Sequence, residues 1–266
     1  MNTADILSVI PQMDNSSSTD YIGEDGLRYC AKCHKAKEIV LSSGLRCPCV
    51  CDCYEKQREA EKRAEEEKRI DRLRRECLPQ TGKWDHRFDV AEDLKHIRIA
   101  SRFVTGWEEV KRRKAGLLFY GNPGSGKTFT ADCIANGLID SGVRVLYKTA
   151  ALIVAELTEK GQPQDEYLDA IRRAPLLIVD DLGAERGTSF ALEKLCAVID
   201  ARTESGGPLV VTTNYTPTEM KDTTDRQFAR LFSRLSVCFP VQVIGEDRRR
   251  QAQKENLAWA KQFFTG

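Results

Sequence analysis

The sequence predicts an α/β fold in which a five-stranded parallel sheet follows a small cysteine-rich module and a charged helix. Two observations predict the sheet. From about residue 85, five apolar runs alternate with stretches of helical spacing, and a glycine-rich turn follows the first run. A third observation, six cysteines within residues 30–53, predicts the module.

Length and charge limit the classes of protein that the chain can belong to. Its 266 residues suffice for one large domain or two unequal ones. The 41 basic and 40 acidic residues nearly balance, so a site for a polyanion must be local. No apolar run is long enough to span a membrane, and no basic leader precedes an apolar stretch. We therefore expect a cytoplasmic protein without a membrane partner.

The N-terminal 53 residues divide into a tail and the cysteine module. Residues 1–27 carry few apolar anchors and are expected to form a flexible tail. In the module, residues 28–53, a C-x-x-C pair precedes a second cysteine group by 13 residues. This spacing is typical of a structural Zn²⁺ site with four thiolate ligands.

The spacing of the cysteines identifies three ligands of that zinc site but not the fourth. Cys30, Cys33 and Cys53 are the ligands we expect most firmly. The fourth stays open among three residues, of which we select Cys49. The three are Cys47, Cys49 and Cys51.

Residues 54–78 predict a solvated linker helix. Of the 23 residues from 54 to 76, 17 are charged, and pairs such as Glu59 with Arg63 have the i,i+4 spacing of helical ion pairs. A late apolar stripe indicates that the end of the helix packs against protein, and Pro79 ends it. The stripe consists of Ile70, Leu73 and Cys77.

Residues 79–266 carry the predicted sheet. The five apolar runs are residues 116–121, 143–149, 175–181, 208–214 and 237–243. The predicted helices that follow the first four runs are residues 127–140, 150–158, 190–204 and 225–235.

The strongest motif is a phosphate-binding loop, GNPGSGKT, which matches G-x-x-x-x-G-K-[ST] between a predicted strand and a predicted helix. Its backbone amides and the helix N-terminus attract phosphate, Lys127 reaches the β- and γ-phosphates of ATP, and the Thr128 hydroxyl binds Mg²⁺. The expected nucleotide-binding residues are Gly121, Asn122, Pro123, Gly124, Ser125, Gly126, Lys127, Thr128 and Phe129.

Polar residues end the third and fourth runs. Asp180 is expected to hold Mg²⁺ together with Thr128, and Asp181 to orient or deprotonate the attacking water. Because an aspartate has a shorter reach than a glutamate, we expect slow, regulated hydrolysis. Asn214 would contact the γ-phosphate or its water. The alternatives are that Asp181 caps the next turn and that Asn214 is an ordinary turn residue.

The motifs GNPGSGKT, LLIVDDLG, TTN and FARLFSRL together resemble the AAA+ ATPases of the DnaC/DnaI helicase-loader group, bacterial or phage, over residues 79–266. The resemblance is more distant to the IstB transposition helpers. It implies ATP hydrolysis to ADP and phosphate, with Asn214 at the sensor 1 position. It also implies that Arg234, or else Arg230, is an arginine finger that acts on a neighbouring subunit. Arg248 or Arg249 matches sensor 2, with room beyond the fifth strand for only a reduced lid.

The same resemblance implies a function. Such a protein loads a hexameric DnaB-type replicative helicase onto single-stranded DNA, with the zinc module holding the helicase and the ATPase domain self-associating. One alternative is an IstB-like helper that targets a transposase to DNA. Another is a zinc-containing nucleic-acid-binding protein that senses nucleotide without turnover. Candidate DNA contacts, each of which is alternatively a plain surface or core residue, are Lys148, Arg186, Phe190 and Tyr215.

Overall fold

The computed structural model describes residues 20–159, 163–183, 189–245 and 248–265. The chain divides into two compact units, Met1–Arg69 and Ile70–Gly266. The first unit contains two antiparallel hairpins and most of a long helix, which continues into the second unit. These elements are β1 (Asp20–Ile22), β2 (Arg28–Cys30), β3 (Glu38–Val40), β4 (Arg46–Pro48) and α1 (Asp52–Cys77).

The first hairpin begins inside the segment that the sequence suggested as a flexible tail. Asp20 pairs with Cys30 across β1 and β2, and its carboxylate lies 2.6 Å from the ammonium group of Lys37. Residues 1–19 of that tail lie outside the described residues. Helix α1 ends at Cys77, two residues before Pro79, because the residue preceding a proline is biased away from helical backbone angles.

The second unit contains a 3₁₀ turn, nine described helices and five strands. The turn is Thr81–Lys83, and the helices are α2 (Lys95–Thr105), α3 (Trp107–Arg113), α4 (Lys127–Asp140), α5 (Ala150–Thr158), α6 (Gln164–Arg173), α7 (Ser189–Ser205), α8 (Pro217–Asp222), α9 (Arg226–Leu235) and α10 (Arg248–Thr265). The strands are β5 (Gly116–Tyr120), β6 (Val145–Thr149), β7 (Leu176–Leu182), β8 (Leu209–Thr213) and β9 (Cys238–Gln242).

The five strands form one parallel sheet in the order β6-β7-β8-β5-β9. This confirms the predicted five-stranded α/β architecture, and each predicted strand lies within two residues of its observed bounds. Five of the described helices were not predicted: α2, α3, α6, α8 and α10. Among the residues that the structure describes, no helix has the length and apolar character needed to cross a membrane.

Apolar side chains pack on both faces of this sheet. In β7, Leu176 and Ile178 belong to one buried cluster, whereas Leu177 and Val179 belong to the other. Residues from α2, α3 and α4 join the first cluster, and residues from α5, α6, α7 and α9 join the second. A sheet buried on both faces needs continuous apolar runs rather than alternation, which is why its strands were readable in the sequence.

Arg202, on α7, is fully buried at the edge of the sheet where its strands begin. Its guanidinium group donates hydrogen bonds to backbone carbonyls at the end of α6 and just before β7 and β8. The acceptors are Ile171, Arg172, Ala174, Pro175 and Pro208. Burial lowers the pKa of Arg202 to about 10, so the group stays charged at neutral pH. One side chain therefore ties three backbone segments together.

We expect the substitution Arg202→Met to lower the free energy of unfolding by about 4 kcal/mol, because it leaves several buried carbonyl groups without a donor. Arg202→Lys keeps the charge but has fewer donors in a different geometry, so an intermediate loss is expected. Urea denaturation at pH 7 measures both. The matched control is Arg172→Met, which removes a surface arginine paired with Asp169. Equal stability of the Arg202→Met and Arg172→Met variants would contradict the expectation.

Candidate functional site

The phosphate-binding loop, residues 121–126, lies between the carboxyl end of β5 and the first turn of α4. Two of its glycines are required by the backbone. Gly121 has a φ of 153°, and a Cβ atom there would lie 2.3 Å from the carbonyl oxygen of Val243. Gly126, the N-cap of α4, has a φ of 102°, a conformation that side-chain-bearing residues rarely adopt. The glycines thus allow the chain to turn tightly into the helix.

Polar groups of this loop match what a phosphate chain requires. Lys127 is buried, and its Nζ donates to the carbonyl oxygens of Gly121 and Asn122, at 2.8 Å each, so the ammonium group lies over the loop. The Ser125 hydroxyl is buried and has no hydrogen-bond partner in the part of the chain that the structure describes. Together with the backbone amides at the N-terminus of α4, these donors fit the phosphates of a nucleotide.

Asp180 lies at the carboxyl end of β7 and is 3% exposed. Its Oδ1 accepts a hydrogen bond of 3.1 Å from the Thr128 hydroxyl and one of 2.6 Å from the Thr212 hydroxyl. The structure thus brings together Thr128 and Asp180, the two residues expected to hold Mg²⁺. A hydroxyl and a carboxylate on neighbouring elements fit this metal, which prefers oxygen ligands.

Sequence reasoning missed Thr212, which holds both aspartates at the end of β7. Its Oγ1 also accepts a 2.8 Å hydrogen bond from the backbone amide of Asp181. Asp181 has a φ of 60°, and the pairing of β7 with β8 shifts register between Val179 and Leu182. This irregularity leaves the Asp181 side chain exposed beside the buried Asp180. The only signal in the sequence was a pair of threonines, Thr212 and Thr213, at the end of an otherwise apolar strand.

Asn214 follows β8 directly, and its side chain is exposed. As expected for this residue, β8 lies beside the phosphate-loop strand, pairing with β5 from Leu117 to Tyr120. Phe129, in the first turn of α4, packs its ring against that of His86, with a centroid distance of 4.9 Å. Phe129 is thus close to the phosphate loop in sequence, and Asn214 follows the strand that pairs with the phosphate-loop strand.

The structure does not bring the predicted arginine finger to this site. Arg234 lies in the last turn of α9, just before the amino end of β9, where its Nε donates to Asp200 at 2.5 Å. Arg230 pairs with the same carboxylate at 3.0 Å. Because β9 runs parallel to β5, Arg234 lies at the opposite edge of the sheet from the phosphate loop, about 16 Å along a five-residue strand. The side chains of Arg248 and Arg249 lie outside what the structure describes.

Of the four candidate DNA contacts, the structure gives an exposed aromatic ring to one. Phe190 is 48% exposed, and the Lys194 ammonium lies 5.4 Å from the centre of its ring. Lys148 instead pairs with Glu156 at 2.6 Å. Tyr215 packs against the rings of Phe228 and Phe232 and thus contributes to the core. Arg186 is not among the described residues.

The cysteine module brings three thiols together. The Sγ atoms of Cys30, Cys33 and Cys53 all lie within 4.8 Å of one another. The hydrogen bond from the Lys35 amide is the largest cause that lowers the pKa of Cys33, to about 7. A cluster of soft thiol ligands, one of them easily ionised, fits tetrahedral Zn²⁺.

Two of the candidate fourth ligands differ in their surroundings. Cys51 is buried, and its thiol interacts with those of Cys30 and Cys33. The structure does not bring Cys49 into this group, because its thiol donates a 2.9 Å hydrogen bond to the carbonyl of Ala36. Of the two, Cys51 is therefore the residue whose thiol lies beside the three-cysteine cluster.

Comparison with known proteins gives one family and several relatives. The family of IstB-like ATP binding proteins matches residues 34–256. The replicative helicase loader DnaI of Bacillus subtilis is 31% identical over 169 residues, which cover 59% of this chain and 54% of that protein. The replicative helicase loader DnaC of Escherichia coli K12 is 28% identical over 140 residues, covering 51% and 56%. The chain thus spans about half the length of these curated relatives.

Solved structures agree with the fold. A crystal structure of DnaI, 27% identical, superposes with a TM-score of 0.53 and covers 63% of this chain and 92% of that one. A crystal structure of the DnaC helicase loader, 21% identical, has a TM-score of 0.50, covers 60% and 98%, and shows a shared fold alone. The five-stranded parallel sheet and the helices that cover it therefore have the AAA+ P-loop fold.

The role of Thr212 is testable through stability. Thr212→Val keeps the shape of the side chain but removes the hydroxyl that contacts Asp180 and the Asp181 amide, so we expect a loss of about 2 kcal/mol in the free energy of unfolding. Thr212→Ser retains the hydroxyl and should lose less. Guanidinium denaturation measures the difference, and a valine variant as stable as the wild type would refute the assigned contacts.

Proposed function

The chain belongs to the family of IstB-like ATP binding proteins, and we propose that it is an ATP-dependent loader of a hexameric DnaB-type replicative helicase onto single-stranded DNA. The observation that carries this proposal is 31% identity to a replicative helicase loader. The phosphate loop and the carboxylate beside it provide the chemistry that such a protein requires. Replication initiation is the process in which it would act.

The nucleotide site is proposed to bind ATP with Mg²⁺. The bound metal ion offsets negative charge that develops on the phosphates during hydrolysis. Lys127 binds the β- and γ-phosphates, while Thr128 and Asp180 hold the metal ion. The amides of residues 121–126 cradle the phosphates. Phe129 and, as the sensor 2 residue, Arg248 complete the nucleotide contacts.

Hydrolysis is assigned to Asp181 and Asn214. The exposed carboxylate of Asp181 orients the attacking water and accepts its proton, and the amide of Asn214 contacts the γ-phosphate or that water. The left-handed backbone of Asp181 stores strain that Thr212 maintains. A short carboxylate on a constrained backbone supports slow, regulated turnover, in which ATP binding sets the grip of the loader and hydrolysis releases it.

Arg234 is proposed to act on the nucleotide of a neighbouring subunit. Its position at the far edge of the sheet from its own phosphate loop supports action between subunits rather than within one. Its guanidinium is exposed and shares Asp200 with Arg230, so it can exchange that carboxylate for phosphate oxygens. Self-association through the ATPase domain would thus complete the site.

The cysteine module is proposed to hold the helicase, with Zn²⁺ bound by Cys30, Cys33, Cys51 and Cys53. An apolar patch at the tip of the second hairpin supports a protein partner, because exposed apolar side chains grouped on a small module favour burial by another surface. The patch consists of Ile39, Val40, Leu41 and Leu45, each between 43% and 62% exposed. The Cys51 assignment replaces Cys49 for the geometric reason given above.

Single-stranded DNA is the proposed nucleic-acid partner of the ATPase domain. The exposed ring of Phe190, with the Lys194 ammonium beside it, combines a stacking surface with a positive charge. Such pairs bind single strands without reading sequence, because every base has an aromatic face. The near balance of charges over the whole chain is consistent with a local site of this kind.

The second candidate function is that of an IstB-like helper that targets a transposase to DNA. The family description favours it, since the match over residues 34–256 names IstB-like proteins. The two functions require the same ATP site and differ in the protein partner. The partner is therefore the property that separates them.

The loading proposal predicts a nucleotide-dependent complex with the helicase. Light scattering of the chain mixed with its host's hexameric helicase, in ATP, in ADP and in neither, should show a mass or stability that changes with nucleotide. Lys127→Ala should remove that dependence, because it removes the ammonium group that binds the phosphates. Val40→Glu should weaken the complex while nucleotide affinity stays unchanged.

Two outcomes would contradict the loading proposal. The first is the absence of any complex when zinc content and ATP binding are confirmed in the same sample, a result that favours the transposase helper. The second is a Lys127→Ala variant that assembles with normal ATP dependence. Matched controls are helicase alone and the chain alone at the same salt concentration.

The zinc assignment predicts different outcomes for two neighbouring cysteines. Cys51→Ser should reduce bound zinc well below about one ion per chain and lower the unfolding temperature of the module, because it removes a ligand. Cys49→Ser should retain the metal. Elemental analysis of the purified variants gives the metal content, and excess chelator should unfold the module of the wild type. Zinc loss in Cys49→Ser with retention in Cys51→Ser would overturn the assignment.

A further inference from the structure

A lysine from outside the phosphate loop lies between two buried carboxylates. The Nζ atom of Lys83 is 3.2 Å from Oδ1 of Asp132 and 3.8 Å from Oδ2 of Asp180. Asp132 is fully buried, and the Lys83 side chain is 15% exposed. Asp180 therefore has hydroxyl donors on one oxygen and an ammonium group near the other.

The surroundings of Lys83 favour a fixed position for this charge. Its ammonium lies 3.9 Å from the centre of the Tyr147 ring, a cation–π distance. Two further titratable groups face the pair: His86, whose Nδ1 is 2.7 Å from Oδ2 of Asp132, and the phenol of Tyr147, which interacts with both carboxylates. Two buried carboxylates thus share one lysine, and a histidine hydrogen-bonds to only one of them.

Lys83 belongs to the connector, which we define as residues 78–88, between the end of α1 and the region before α2. The side-chain amide of Asn136, on α4, donates to the carbonyl oxygens of Lys83 and His86 at 2.8 and 3.0 Å. The connector is therefore attached to the helix that begins at the phosphate loop. A change in the charge near Asp180 acts directly on this segment.

We propose that Lys83 is a positioning residue that serves as the counter-ion of Asp180 and competes electrostatically with the magnesium ion for that carboxylate. The position of the connector and the binding of magnesium–nucleotide are therefore thermodynamically linked. The inference rests on the proposed function, in which Asp180 holds the metal. At a separation of a few ångströms and reduced dielectric, one unit charge changes the affinity for a divalent cation severalfold or more.

The linkage has a direction that follows from charge. Removing the ammonium group makes the surroundings of Asp180 more negative, so magnesium binds at a lower concentration. When Asp132 is neutralised, Asp180 is the one of the two carboxylates that still pairs with Lys83. Magnesium must then compete with a stronger Lys83–Asp180 interaction, so a higher magnesium concentration is needed. The two substitutions therefore shift the magnesium requirement in opposite directions.

The test measures how binding of a fluorescent adenine nucleotide to the full-length chain depends on magnesium concentration. In Lys83→Met, which keeps an apolar stem beside Tyr147, the half-saturating magnesium concentration should fall about tenfold. In Asp132→Asn it should rise severalfold. Lys83→Arg retains the charge and should stay within about twofold of the wild type. The matched control is Lys111→Met, which removes a surface ammonium paired with Glu108.

The outcomes separate this inference from the function on which it rests. If the wild type binds no nucleotide at any magnesium concentration, both fail. If it binds nucleotide with magnesium but Lys83→Met and Asp132→Asn leave the midpoint unchanged, the inference alone fails. A lower unfolding temperature with an unchanged magnesium midpoint identifies a purely structural ion pair and overturns it as well. If Lys83→Met does not fold, the magnesium midpoint of Asp132→Asn tests the inference instead. An unchanged midpoint in that variant also overturns it.

Discussion

A carboxylate withdrawn from water must be matched by donors, and the edge of the sheet that carries the phosphate loop is arranged around one such group, Asp180. Burying an unmatched carboxylate costs several kcal/mol, roughly as much as a small domain's whole stability. The partners of Asp180 come from three separate elements, Thr128 on α4, Thr212 on β8 and Lys83 on the connector. Satisfying one charge therefore fixes a helix, a central strand and a connecting segment relative to one another.

The opposite edge of the sheet is organised by a buried charge of the other sign. Arg202 donates to backbone carbonyls before β7 and β8, the two strands whose far ends carry Asp180 and Thr212. Both groups exchange water for protein partners, but the partners differ. Arg202 donates hydrogen bonds to neutral backbone carbonyls, whereas a metal ion can replace the partners of Asp180. The contacts of Arg202 at one edge of the sheet are therefore fixed, whereas those of Asp180 at the other edge can be exchanged for a metal ion.

The sequence predicted what local patterns encode. All five strands and the phosphate loop were recognisable, since a doubly covered sheet needs continuous apolar runs and the loop needs glycine at fixed positions. Thr212 and Lys83 were missed because their contacts depend on how distant segments meet. We propose Cys51 instead of Cys49 as the fourth zinc ligand for a related reason: spacing counts thiols but does not show which of them lie together. The hairpin that starts at Asp20 was hidden because its strands are only three residues long.

The connector contacts α4 at two acidic residues that differ in burial. On α4, Asp132 contacts Lys83 and His86 of the connector, whereas Asp140 pairs with Arg87 of the connector and with Arg74 of α1. The Asp140 side chain is 38% exposed, so water and salt screen its pairs, whereas that of Asp132 is fully buried. The contacts at Asp132 are therefore less screened by water, and they lie one turn beyond Lys127 and Thr128. A change of charge at the nucleotide site thus acts on the connector through its more deeply buried contact, Asp132.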